Sequence, residues 1–299
     1  MFLDACPIDV APGDPRFLRA AGHAGRQLPA AVHDALVDFA DDPGPTGVLL
    51  LSGLPVGELP ATPAEPTDPT TKEYTSEFTL LTLARRLGHP VGYLPEHGGE
   101  IVQNLVPTRR GADHQTSTSS AVTLDMHTET AFHPFLPRYL VLLCLRGDPE
   151  AATTYVSIEE LAPTLPPEVR AVLREPRFRC GVDESFGEPD AEPAPAAPVL
   201  WGTDERPCWT FDEDLTFGLD ADARAALAEL RAELAGFERS VVLEAGDLLV
   251  LDNTKVVHGR TPFRPRFDGS DRWLQRTFVV ADLAPSATQR RGRIIATTF

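Results

Sequence analysis

Residues 124–135 read LDMHTETAFHPF, and two of them are out of keeping with their neighbours. His127 and Glu129 stand two positions apart among Leu, Met and Phe, so an imidazole and a carboxylate sit where each needs a partner. Residues two apart share a face on a strand and diverge on a helix, so the pair converges only if this segment is extended. An HxE pair is weak ground alone, since a hydrogen-bonded core histidine beside a solvated glutamate reads the same way. A third residue changes the balance: His258 closes the apolar strand within EAGDLLVLDNTKVVHGRTPF and runs into a Gly-Arg turn. Two imidazoles and one carboxylate on a β scaffold make the facial triad that leaves three positions open on a non-haem iron(II). Zinc hydrolases use the same donor types, but neither an HExxH helix nor an obvious general base accompanies them here.

A downstream strand adds cations to this picture. In DRWLQRTFVV, strand alternation puts Arg272, Leu274, Arg276 and Phe278 on one face and Trp273, Gln275 and Thr277 on the other. An exposed strand face salted with charge would look the same. Charge balance favours the interior: iron(II), the Glu129 carboxylate and a 2-oxoglutarate dianion leave a net negative charge that one buried arginine neutralises. The planar guanidinium suits a bidentate carboxylate, whereas an unpaired buried one is costly.

The elements that must hold these residues can be read around them. Residues 15–40 place Leu28, Val32, Ala35, Leu36 and Phe39 on one helical face before the breaker DDPGP, which predicts an N-terminal helix. TGVLLLSGLP (46–55) predicts a buried strand, the proline-rich VGELPATPAEPTDPTTKE a loop, and TLLTLARRLG (79–88) a second helix with a glycine stop. From residue 100 the period changes: EIVQNLV, RYLVLLCLR, TTYVSI, RSVVLEAGDLLVLDN and RWLQRTFVVADL are strand-like, and DADARAALAELRAELAGF (220–237) is a last helix. The expected class is mainly β with flanking helices, one domain over 1–299 with 1–45 as a helical extension. The polar 107–122 segment and 183–206, centred on the low-complexity FGEPDAEPAPAAP, are expected to be mobile lid or insert loops over the site.

Composition excludes several partners. With 44 acids against 27 bases, the net charge of -17 repels nucleic acid and acidic membrane surfaces. No apolar run approaches the roughly 20 residues a bilayer span needs. MFLDACPIDVAPGDP lacks the basic start and apolar stretch of a secretion signal, and Cys6, Cys144, Cys180 and Cys208 form no CxxC pair. Free thiols in a cytoplasmic protein are expected.

HTETAFHPFLPRY, the EAGDLLVLDN…VVHGRTPFRPRFDGSDRWLQR block and TGVLLLSGLPV together resemble the clavaminate synthase branch of the Fe(II)/2-oxoglutarate oxygenases, within the taurine dioxygenase-like superfamily. That branch includes asparagine and arginine hydroxylases of peptide-antibiotic pathways. The resemblance runs from about residue 45 to 285 and is weakest over 186–206.

It implies a double-stranded β-helix, a jelly-roll or cupin-like core, and iron ligation by His127, Glu129 and His258. It further implies that Arg272 and Thr154 bind 2-oxoglutarate, that Arg276 holds the α-carboxylate of an amino-acid substrate, and that Ser117 and Asp212 contact that substrate. Each has a plainer alternative: Thr154 as a β-branched strand residue, Ser117 as a loop tip, Asp212 as a turn cap. Glu96, in GYLPEHGGE, could reach a substrate amine, while His133, Asp125 and His114 read as structural.

The implied activity is hydroxylation at Cβ or Cγ of a free L-amino acid whose side chain bears N–H groups, using Fe(II), 2-oxoglutarate and O2. Arginine, citrulline, ornithine, lysine and asparagine all qualify. Oxidative cyclisation or desaturation on the same scaffold is the alternative outcome, and a cupin-like metal or ligand binder without turnover is the alternative class.

Overall fold

Asp14 accepts the Arg16 N–H at 2.7 Å and Pro15 takes the first helical position, where its missing donor costs least, so α1 spans Pro15–Ala24. The single helix expected over 15–40 is two. Gly25–Gln27 tightens into a 3-10 turn and Pro29, with no N–H to offer, precedes a second helix, α2 (Ala30–Asp41). Leu28, Leu36 and Phe39 are buried as the periodicity required.

In chain order there follow β1 (Val48–Leu51), α3 (Thr75–Leu87), β2 (His89–Tyr93), β3 (Gln103–Leu105), β4 (Leu124–His127), β5 (Tyr139–Arg146) and β6 (Ala152–Ser157). Next come α4 (Ile158–Leu161), α5 (Pro167–Leu173), β7 (Phe178–Cys180), β8 (Leu200–Gly202), β9 (Pro207–Trp209), β10 (Thr216–Gly218) and α6 (Ala221–Phe237). The chain closes with β11 (Arg239–Val242), β12 (Leu248–Asp252), β13 (Val256–Arg260), β14 (Trp273–Val280), β15 (Arg290–Arg291) and β16 (Ile294–Ile295). This computed structural model describes every residue except 1, 8, 69 and 188–190, so part of the expected 183–206 insert lies outside the described residues.

Two antiparallel sheets carry the fold. The larger runs β1-β12-β5-β14-β2-β16-β15, with β3 also on β14; the smaller runs β11-β6-β13-β4. Among the described residues of the larger sheet, only β16 on β2 is parallel. Central strands β5, β12 and β14 are buried on both faces, which their near-continuous apolar runs require. One face of this sheet, through Val141, Leu143, Val250, Trp273 and Val279, packs on α1–α3. Leu80, Leu81 and Leu83 of α3 are fully buried there, each worth about 1.5–3 kcal/mol. The other face, through Leu140, Leu142, Leu249, Leu274 and Phe278, forms a separate core. Behind the smaller sheet, Val156 and Val257 pack on Leu227, Leu230 and Leu234 of α6.

β1 departs from its sequence reading. Its apolar run predicts a buried strand, but β1 pairs only with β12 and forms the sheet edge, leaving Leu50 43% exposed. The 107–122 segment is cross-linked: Thr108 N–H donates to Thr118 O, and Ser120 and Ala121 N–H both donate to Ala112 O. All four cysteines are free.

Candidate active site

β4 and β13 set the first two functional side chains by register. His127 lies directly opposite His258 in the antiparallel ladder, so both rings leave the same face, with centroids 4.4 Å apart. Glu129 follows just beyond the end of β4. Asn253 clamps its backbone, accepting Glu129 N–H at 2.8 Å while its amide donates to Glu129 O at 3.1 Å and Pro137 O at 3.0 Å. The next residue, Thr130, has φ of 54°, a left-handed conformation that a β-branched residue rarely adopts.

One donor atom from each of His127, Glu129 and His258 lies within 4.8 Å of the others, and Glu129 Oε2 stands 3.6 Å from His258 Nε2. His127 Nδ1 is 2.8 Å from Asp125 O, so it carries the proton and leaves Nε2 with a lone pair. Asp125 thus serves the site through its backbone. Burial and the neighbouring His127 hold His258 down to about 4, keeping it neutral. Burial alone would raise Glu129, but the guanidinium of Arg276 and the hydrogen bond from His258 bring it down to about 2. Two neutral nitrogen donors and one ionised carboxylate, converging with His258 Nδ1 buried and unpartnered, fit a divalent cation of the iron(II) type.

A cavity of about 640 Å³ opens beside these atoms and is lined by Arg272, Arg276, Ser117, Asp212 and Glu96. Arg272 is 7% exposed and donates to no acceptor among the described residues; its one ring contact is with Phe263. Burial lowers its affinity for its proton to about 10. An unpaired buried guanidinium facing a cavity is a receptor for a carboxylate. Arg276 differs, because Gln103 Oε1 accepts from its Nε at 2.9 Å and its Nη2 at 2.6 Å, and Glu96 also accepts from Nη2. Only Nη1 remains, with long contacts of 3.4 and 3.5 Å to Glu129. Glu96 keeps its second oxygen buried and unpartnered, and burial pushes its carboxyl up to about 7 despite Arg276.

Thr154 requires a correction. In the β6–β13 ladder Thr154 faces Gly259, on the opposite side of the sheet from His258, and it does not line the cavity. Thr153, which pairs with Arg260, shares the face of His258 and Tyr155 and does line it. Strand parity decides the matter: a slip of one residue reverses the side chain.

Asp212 reconciles its two readings. Its Oδ1 accepts from Asp214 N–H at 3.0 Å and Leu215 N–H at 2.8 Å, capping a turn, yet the residue also lines the cavity and its backbone bridges His127. Burial raises its carboxyl above the usual range, partly opposed by His127. His133 is structural, its Nδ1 accepting from Phe135 N–H at 2.9 Å within a cage of Tyr93, Phe132 and Phe186.

Several participants escaped sequence reading. Arg260, two residues beyond His258, donates to Ser119 O, to Ser119 Oγ at 3.0 Å and to Val122 O at 3.1 Å, tying the 107–122 loop to the strand that bears His258. Asp183 and Phe186 line the cavity from the 183–206 stretch expected over the site, but its composition singled out neither residue. Arg260 stood in the quoted HGR, but its role depends on a contact with chain far removed in sequence.

A sheet-borne His-Glu-His cluster beside an unpaired arginine defines the class: a non-haem iron and 2-oxoglutarate-dependent oxygenase. Comparison with known proteins agrees. Residues 45–278 match the profile of the taurine catabolism dioxygenase TauD, TfdA family, and the chain belongs to that family. It is 37% identical to the L-lysine 3-hydroxylase of Catenulispora acidiphila, over 95% of this chain and 81% of that one. It is 35% identical to clavaminate synthase 2 of Streptomyces clavuligerus, over 89% of this chain and 84% of that one. A crystal structure of asparagine oxygenase with Fe(II), 2S,3S-3-hydroxyasparagine and succinate superposes with a TM-score of 0.93 at 35% identity, covering 99% of this chain and 94% of the other. The expected resemblance, the enzyme class and the cofactors are therefore borne out.

Proposed function

We propose that this protein hydroxylates an unactivated C–H, at Cβ or Cγ, of a free L-amino acid whose side chain carries N–H groups. The observation that carries this reading is the placement of the His127–Glu129–His258 cluster and the unpaired Arg272 on one cavity large enough for 2-oxoglutarate and an amino acid together. Two of the relatives named above carry an amino acid in their names, one as an L-lysine 3-hydroxylase and one as an asparagine oxygenase.

In this reading His127, Glu129 and His258 would hold iron(II), and the chemistry it would supply when bound is O2 activation coupled to 2-oxoglutarate. Arg272 receives the distal carboxylate of 2-oxoglutarate, with the Thr153 hydroxyl beside it. Arg276 attracts the substrate's α-carboxylate while Gln103 and Glu96 fix its orientation, and the open oxygen of Glu96 accepts from the α-ammonium. Asp212 receives the side-chain donor, and Ser117 on the 107–122 loop covers it. Each polar group acts by position: the substrate carbon is held near the metal and water is kept away from it. The two facing sheets are read as a double-stranded β-helix, and the free cysteines suit a cytoplasmic setting.

Incubation with Fe(II), 2-oxoglutarate and each common amino acid, read by mass spectrometry, should show one amino acid gaining a single oxygen with stoichiometric succinate. Succinate release without any oxygenated amino acid across the panel would overturn the proposal.

A further inference from the structure

Two arginine-rich stretches, RRLGH (85–89) and QRRGR (289–293), take no part in the oxygenase site, and none of their residues lines its cavity. The topology brings them together. α3 ends on Arg85, Arg86 and Leu87 and turns through Gly88 into β2, while the β15–β16 hairpin adds to β2 with Ile294 opposite Gly92 and Ile295 opposite Tyr93. Gly92 N–H donates to Arg293 O at 3.0 Å, which seats the hairpin turn beside the first half of the strand.

The positive charge gathered there is unanswered. Arg85 gives Nη1 to Gly88 O and to His89 Nδ1, both at 2.9 Å, and Arg290 gives Nη1 to Gly292 O. All three acceptors are neutral, because a guanidinium only donates and His89 Nδ1 must therefore carry a lone pair. The Arg293 side chain meets no acceptor among the described residues. Arg85 Nε, Arg290 Nε and Arg293 Nη1 are each buried without a partner, and no carboxylate pairs with any of the three among the described residues. Burial, then Arg293, Arg85 and Arg290, hold His89 below its usual value, with Asp282 opposing them. Burial, Arg85 and Arg290 likewise bring Arg293 down to about 10.

Half-buried like charges without a counter-ion are costly, and a chain with 44 acids has not supplied one here. Arg85, Arg290 and Arg293 bring three positive charges and Asp282 offsets one, so a doubly charged ligand balances the group. Donors arriving from a helix end and from two positions of a hairpin suit oxygens that point in several directions, as on a tetrahedral phosphate, better than one planar carboxylate.

We propose that Arg85, Arg290 and Arg293 form a second ligand site, which takes a phosphate dianion, free or as a monoester. Bound there, the anion joins the α3–β2 turn to a hairpin that otherwise holds to β2 through two ladder pairs. The site stands independently of the oxygenase reading.

Titration calorimetry at fixed ionic strength in chloride, with inorganic phosphate, glycerol 1-phosphate and acetate, provides the test. Phosphate should bind, acetate should bind at least about tenfold more weakly, and Arg293→Gln should weaken phosphate by a similar factor. Tighter binding of glycerol 1-phosphate than of inorganic phosphate would identify a monoester as the occupant, and the reverse order the free ion. Arg272→Ala, which alters the catalytic cavity instead, should leave phosphate binding unchanged. Loss of binding in Arg272→Ala with retention in Arg293→Gln would put the anion in that cavity and overturn the proposal, as would a parent protein that binds no phosphate. Because Arg293→Gln removes a repelled charge, its melting temperature without phosphate should equal or exceed the parent's. A lower value would contradict the unanswered charge on which the site rests.

Discussion

His127 and His258 form a directly registered cross-strand pair between β4 and β13, with ring centroids 4.4 Å apart. Ladder pairing, rather than loop placement, thus sets the separation of two of the three metal donors, and rigid elements hold a site more closely than loops do. Replacing either ligand should cost more in metal affinity than the 10–100-fold typical of outer groups, so His258→Ala should lose about two orders of magnitude or more. Calorimetry with Mn(II) checks this, and a chelator should abolish activity until Fe(II) is restored.

Arg272 has no hydrogen-bond or ion-pair partner among the described residues, so its substitution strands no buried carboxylate there. Arg272→Ala should weaken 2-oxoglutarate binding by about tenfold to a hundredfold with little loss of melting temperature. Arg276→Ala should behave differently, exposing Glu96 and Glu129 to each other and lowering the melting temperature as well. Paired thermal melts and 2-oxoglutarate titrations separate the two; equal melting losses would contradict the description of Arg272 as unpaired.

The parity of β6 is open to a direct comparison. Thr153→Val should raise the KM for 2-oxoglutarate several-fold, about 1 kcal/mol for one hydrogen bond, while Thr154→Val leaves it near the parent value. The reverse pattern would mean that β6 pairs with β13 one residue out of the register described.

Asn253 satisfies three backbone groups around Glu129 and is 1% exposed. Asn253→Ala strands them, so a loss of about 1–3 kcal/mol is expected together with weaker metal binding. Adding Mn(II) should raise the melting temperature of the variant less than that of the parent.

His133 supplies a pH prediction from a group outside the metal cluster. Burial holds its imidazole down to about 4 from the ordinary value of 6.5. The unfolded chain therefore binds a proton that the folded chain does not, and the associated stability, full above pH 6.5, is lost as pH falls toward 4. His133→Phe should flatten the melting-temperature profile across that window, provided the neighbouring Tyr93 and Phe186 accept the ring. An unchanged slope would place the acid sensitivity elsewhere.

Much of the site was legible because its chemistry is carried by short-range patterns. HxE on an extended segment, a histidine closing a strand and alternating arginines are local statements, and the structure brings those residues to one cavity. What escaped depends on distant partners. Arg276 reads as a free cation until Gln103, on a strand far away in sequence, accepts from it. Thr154 was placed by spacing, and spacing does not fix which face of a ladder a residue occupies when its neighbour is also threonine. β1 has the composition of an interior strand, but its place at the sheet edge is decided by which strands pair. Asp183 lies beside a Pro/Ala/Glu-rich run, where composition argues against any order, and its turn is built from one local serine.

Arg260 gives the cavity an asymmetry. Its guanidinium fastens Ser119 and Val122 to the strand of His258, and that strand is itself laddered on both sides. The C-terminal root of the Ser117 segment is therefore moored to the metal-bearing framework and cannot swing clear without breaking buried contacts. On that side the mouth is sewn to the sheet, so any loosening there is felt at the strand that carries His258.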